Sequence, residues 1–209
     1  MNGRSSGIDI LMGCRPGETM YVLGNGPSLD IEWMRSLPPS QCIGTNRILL
    51  HDYEPKYLVI VDHEVWGDQK KAVFGTQCIL LVGRDLYEQA DDLPISRTLC
   101  FDYPHDIAPD LARPELHHGW LTGYYAAAIA ARMVKPGGTV VLAGMDLRYP
   151  DEGPDHSYGD GFVYGCRGLR FGDAVESFVK LREAARGQVA LVVAGESALK
   201  NRLFEDFSP

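Results

Sequence analysis

Six short runs of consecutive apolar, largely β-branched residues constrain this chain more than any other feature: 21–23, 41–44, 57–61, 78–82, 139–143 and 189–193. They are continuous rather than alternating, which is the pattern of strands buried on both faces. Between several of them lie segments whose apolar residues recur at helical spacing, at 28–36, 65–74, 121–133 and 173–186. Strand and helix in alternation predict an α/β layer with a mainly parallel sheet and helices on both faces. Lys135-Pro136-Gly137-Gly138 reads as the stop of the Ala-rich helix and the turn into the next strand. No repeat or linker interrupts the pattern. The expectation is one Rossmann-like domain over 1–209, with the Gly-, Pro-, Asp- and Tyr-rich stretch 148–170 forming a long loop over a ligand site.

Length and charge narrow the function. The chain has 209 residues, little more than one domain at ~150 residues per domain. Twenty basic against 28 acidic side chains give a net charge of -8, which disfavours nucleic acid and anionic membrane as partners. A bound phosphate must therefore be held by a local site. The five cysteines, Cys14, Cys42, Cys78, Cys100 and Cys166, are scattered and contain no CxxC pair; they read as reduced thiols in a cytoplasmic protein. Leu11-Met12-Gly13-Cys14 matches a lipoprotein cleavage box only superficially, because the apolar stretch before it is short and contains Asp9. The uncharged run 124–131 is far short of the roughly 18 residues that span a bilayer. The expected ligands are a small-molecule nucleotide donor and an unidentified acceptor, and a homo-oligomer is compatible with this reading.

The strongest local signal is the run into Gly24-Asn25-Gly26-Pro27-Ser28 after the first strand. Two glycines allow a tight turn and close approach to a ligand, and a helix opened by Pro27 and Ser28 would offer free N–H groups to a phosphate. The third glycine of the dinucleotide fingerprint and the lysine of a P-loop are both missing, which argues against NAD and a Walker-type site. The plainer alternative is a simple strand-to-helix turn.

The segment 24–29 resembles the amino-terminal motif of the bacterial family 42 sialyltransferases and of the related group containing the archaeal 6-hydroxymethylpterin diphosphokinases. The likeness continues in order. Gly44-Thr45-Asn46-Arg47 is similar to the segment after their second strand, Thr122-Gly123-Tyr124 to a helix start, and Leu142-Ala143-Gly144-Met145-Asp146 to a strand end. The resemblance implies a nucleotide or nucleotide-sugar at the carboxyl ends of the strands. Asn25 and Asn46 would bond its phosphate and sugar, and Thr122 and Gly123 would add donors. Tyr149 and Tyr158 stand for two tyrosines that assist the departing phosphate, the first after a one-residue shift. The sialyltransferases' basic histidine has no counterpart, since Gly165-Cys166-Arg167 occupies its place. His156 is the substitute catalytic base, and a histidine after the Gly-x-Asp strand end also suits the diphosphokinases.

Two carboxylates divide the readings. Asp62 and Asp146 each follow an expected strand, so parallel strands would bring both to one edge, where carboxylates and substrate phosphates hold Mg²⁺. Family 42 transfer needs no metal, whereas diphosphate transfer from ATP does; each aspartate could instead cap the next helix. His117-His118 is a poor metal pair because adjacent side chains diverge. Trp66 and Trp120 are candidates for stacking on a base or pterin, or for the core, and Lys70-Lys71 and Asp91-Asp92 read as solvated faces. The leading expectation is a sialyltransferase-type glycosyltransferase using a CMP- or other nucleotide-activated sugar. The alternatives are a diphosphokinase acting on a small hydroxymethyl acceptor and a non-catalytic nucleotide-binding module.

Overall fold

The computed structural model describes residues 7–148, 156–159, 171–202 and 204–207. Eight strands form a single parallel sheet, β1 Thr19–Leu23, β2 Cys42–Thr45, β3 Tyr57–Ile60, β4 Ile79–Gly83, β5 Thr98–Phe101, β6 Gly138–Ala143, β7 Val189–Ala194 and β8 Glu205–Asp206, in the order β5-β4-β3-β2-β1-β6-β7-β8. The helices are α1 Ile31–Ser36, α2 His63–Phe74, α3 Arg84–Gln89, α4 Thr122–Val134 and α5 Phe171–Ala185. This is the Rossmann-like α/β arrangement that the alternation of runs predicts.

The six strands of the apolar runs, β1, β2, β3, β4, β6 and β7, feed two cores because successive side chains leave opposite faces. Met20, Val22, Val59, Leu81, Val140, Leu142 and Val193 pack with α4 and α5. Leu23, Leu58, Ile60, Leu80, Val82, Val141 and Ala143 pack on the other face with Met34 of α1, Trp66 of α2 and Leu86 of α3. The doubled burial explains why the runs are apolar at every position.

Helix α4 is buried on all sides from Tyr124 to Val134, as expected of a helix apolar all round. Its buried Arg132 is compensated by carbonyls instead of a carboxylate. The guanidinium donates to the carbonyls of Arg113 at 2.8 Å, Ala128 at 2.8 Å, Asp110 at 2.6 Å and Glu115 at 3.2 Å. Burial lowers its pKa to about 10, and the residue staples the 110–115 segment to the helix.

Several boundaries differ from the sequence reading. Helix α1 starts at Ile31, not Ser28, because Asp30 caps it by accepting the Trp33 N–H at 3.0 Å while Ser28 is held elsewhere. Strands β5 and β8 and helix α3 went unread: β5 has four residues, and β8 is an exposed two-residue Glu-Asp pair with no apolar pattern. Lys70 and Asp92 are exposed, as the sequence predicts of solvated faces. They pair at 2.8 Å, and Asp92 also accepts the indole N–H of buried Trp66 at 2.8 Å, which assigns Trp66 to the core. Tyr149 and Cys166 lie outside the described residues. No helix among the described residues is long and apolar enough to cross a membrane.

Candidate functional site

The strand order reverses between β1 and β6, since the chain moves from β1 outward to β2 and from β6 outward to β7. Ligands of open α/β sheets gather outside the carboxyl ends of the strands at such a point. Here the two loops at that point are joined to each other. The Gly24 N–H donates to the Ala143 carbonyl at 2.8 Å and the Gly26 N–H to the Gly144 carbonyl at 2.8 Å. A Cβ on Gly24 would fall 2.3 Å from the Gly144 oxygen, and one on Gly26 would fall 2.6 Å from Asp146 Cγ. Neither glycine has a positive φ, so loop-to-loop contact requires them and backbone conformation does not.

Pro27 and Ser28 therefore do not open a helix. The Ser28 N–H donates to Asp146 Oδ2 at 3.0 Å, and its hydroxyl bonds both Asp146 Oδ1 and the Glu196 carbonyl. Asp146 is buried and each of its oxygens accepts a bond from Ser28. It caps this loop rather than a following helix. Desolvation raises its pKa, against the Ser28 bonds, which lower it.

Uncommitted polar groups begin one strand further along. Asn25 donates its side-chain amide to the Thr45 carbonyl at 2.9 Å and to Thr45 Oγ1 at 3.1 Å. Its Oδ1 is buried and has no hydrogen-bond partner among the described residues. Asn46, at the end of β2, sits in the left-handed region at φ 49, where asparagine is tolerated. Its N–H donates to the Val59 carbonyl at 2.9 Å, and its Oδ1 is likewise buried without a partner among the described residues. Beside Asn46, Arg47 is buried and pairs with Asp68 at 2.8 Å.

Asp62 follows β3 and stands at the cap position of α2, yet its side chain makes no cap hydrogen bond. It accepts only a long 3.4 Å bond from Thr122 Oγ1 among the described residues. The residue is exposed, and partial desolvation of its carboxyl raises its pKa. Thr122 begins α4, whose cap residue Leu121 has no acceptor side chain, so the first-turn N–H groups lack a side-chain cap. Gly123 lets Met145 sit against this helix start, with an added Cβ only 2.5 Å from its sulfur.

The described residues 156–159 rest on the same edge. The Ser157 N–H donates to the Asn25 carbonyl at 2.9 Å, and Ser157 Oγ lies 3.0 Å from His51 Nε2. His156 and Tyr158 stack with ring centroids 4.9 Å apart. Burial, aided by Arg35, lowers the His51 pKa. Sequence reasoning missed His51 because no short motif contains it.

The structure thus brings Asn25, Asn46, Asp62, Thr122, His156 and Tyr158 to one edge, while Gly24, Gly26, Ser28 and Asp146 serve the pairing of two loops. His117 and His118 point apart: His117 bonds the Ile107 carbonyl, and the His118 ring lies on His105. Among the described residues no group of three His, Cys, Asp or Glu could hold a metal ion. Comparison with protein-family models, curated proteins and solved structures found no match.

Proposed function

We propose that the chain is a nucleotide-dependent transferase, most like a sialyltransferase-type glycosyltransferase that uses a CMP- or other nucleotide-activated sugar. One observation carries the reading: two buried amide oxygens, Asn25 Oδ1 and Asn46 Oδ1, are left without partners among the described residues on the carboxyl edge of the sheet. An unpartnered buried acceptor is costly, and a ligand hydroxyl or amino group would satisfy it. A ribose and the exocyclic amine of a base carry such donors, and the uncapped start of α4 favours the attached phosphate.

His156 serves as the base that accepts the proton of the acceptor hydroxyl. It is supported by the anchoring of its neighbour Ser157 to the Asn25 backbone. Asp62 favours a second reading, diphosphate transfer from ATP with Mg²⁺. Its carboxyl is free of capping duty, and Mg²⁺ needs only one or two carboxylates beside the substrate phosphates. Asp146 does not suit that role, because Ser28 occupies its oxygens.

The test is calorimetric titration of CMP, UDP, GDP and ATP, with and without Mg²⁺, into the wild type and Asn46→Gly. Glycine keeps the left-handed backbone and removes only the amide. Loss of one such bond should weaken nucleotide binding by about 3–10-fold. Equal affinity in both proteins, or no binding of any nucleotide, would overturn the reading. Mg²⁺-dependent binding of ATP that Asp62→Asn abolishes would select the diphosphokinase. In His156→Ala, turnover should fall by about 10²-fold or more with nucleotide affinity kept; binding without turnover in the wild type would leave a binding module.

A further inference from the structure

The other wing of the carboxyl edge, beyond Asp62, carries a ring cluster that the nucleotide reading leaves unused. After β5 the chain places His105 and His118 face to face, with centroids 3.8 Å apart and planes at 24°. Trp120 stands edge-on to His118 at 4.9 Å and 87°. Tyr103 lies 5.9 Å from His118 and 5.0 Å from Tyr125, which extends the cluster towards α4.

Three features of this cluster point to a ligand. Trp120 is held in the left-handed region at φ 68 and remains 51% exposed. A bulky residue rarely adopts this conformation without a functional or packing reason, and an indole that is half solvent-facing gains little from packing. His118 Nδ1 is buried with no hydrogen-bond partner among the described residues. The charges at hand are already spent or of the wrong sign for an anion: Arg84 forms a two-bond pair with Asp102, Tyr103 donates to Asp85, and Asp62 borders the cluster. Burial, with His105 and His117 beside it, lowers the His118 pKa, so this imidazole offers neutral nitrogens at neutral pH.

We infer that Trp120, His118 and His105 form a second subsite, which binds an uncharged ring bearing hydroxyl groups. Within the transfer reaction proposed above, and resting on that reading for its role, this subsite anchors a ring of the acceptor distant from the hydroxyl that His156 deprotonates. The indole face takes the ring by stacking, and the imidazole nitrogen bonds a hydroxyl. A pyranose and a hydroxymethyl-bearing heteroaromatic ring share this chemistry.

Saturation-transfer NMR on the full chain tests the inference, with methyl β-galactopyranoside and a hydroxymethylpyrimidine as separate probes. Trp120→Gly removes the ring while keeping the backbone conformation, and circular dichroism checks its fold. The expected result is saturation of at least one probe, lost in Trp120→Gly and retained in Asn46→Gly. No saturation of either probe, survival of the signal in Trp120→Gly, or its loss in Asn46→Gly as well would overturn the subsite. A response from the pyranoside alone selects a sugar acceptor, and one from the pyrimidine alone selects a heteroaromatic acceptor. The ring probes bind independently of any nucleotide, so failure of the calorimetric titration with a surviving ring signal would fault the transferase reading and leave the subsite standing.

Discussion

Asp62 is exposed at the head of α2, yet its carboxyl is partly desolvated. Its pKa is raised chiefly by desolvation, with the Thr122 hydroxyl opposing the shift. The folded state therefore binds this proton more tightly than the unfolded state. The contribution is fully favourable below the ordinary value of 3.8 and is lost as pH rises through the folded-state pKa. Asp62→Asn should accordingly raise Tm at neutral pH and leave it nearly unchanged below the ordinary carboxylate range; thermal denaturation across pH measures this, and a lower Tm at pH 7 would refute it. Gly26 makes a different demand. An added Cβ meets the Asp146 carboxylate and the Gly144 carbonyl, so Gly26→Ala should cost about 1–3 kcal/mol of stability through overpacking. Denaturant titration reads that cost with no nucleotide present.

At the scale of elements, α4 governs the site. Its Ala-rich body packs over β1, β2, β3 and β6, and its uncapped start points at the edge where Asn25, Asn46 and Asp62 gather. Arg132 connects this helix to the 110–115 segment that leads into the Trp120 turn. Arg132→Met keeps the bulk and removes the donors of four carbonyls. Partial rehydration of those carbonyls leaves an expected loss of about 3 kcal/mol, or roughly 6–12 °C in Tm for a chain of this size. Calorimetry should show this loss, and the Trp120 fluorescence should shift as the segment loosens. An unchanged Tm would mean that the guanidinium is not the staple it resembles.

For the whole molecule, the parallel sheet sets a gradient of stability. β1, β2 and β6 are paired on both sides and covered on both faces, whereas β8 is a two-residue edge strand and β5 closes the opposite edge. Native-state hydrogen exchange should be slowest at Val22, Ile43 and Leu142 and faster in β5 and β8, because edge amides open by smaller fluctuations. Comparable protection across all eight strands would contradict this ordering.

The α/β architecture was legible in the chain because a strand buried on both faces must be apolar at every position. That requirement is local and survives in a run such as 57–61. The glycine pair and the motif Gly24-Asn25-Gly26 were visible for the same reason, since tight approach needs residues without side chains. Their purpose was not visible. Only the register of β1 against β6 shows that the two loops pair with each other and spend Ser28 and Asp146 on that contact. Asn25, Asn46 and Asp62 lie 37 positions apart at most along the chain, and their convergence depends on parallel strand order, which no short motif encodes. The Trp120, His118 and His105 cluster likewise exists only after residues 102–121 cross back over the sheet. Local sequence determines which elements form, whereas the order in which strands pair decides which polar groups are satisfied and which remain open to a ligand.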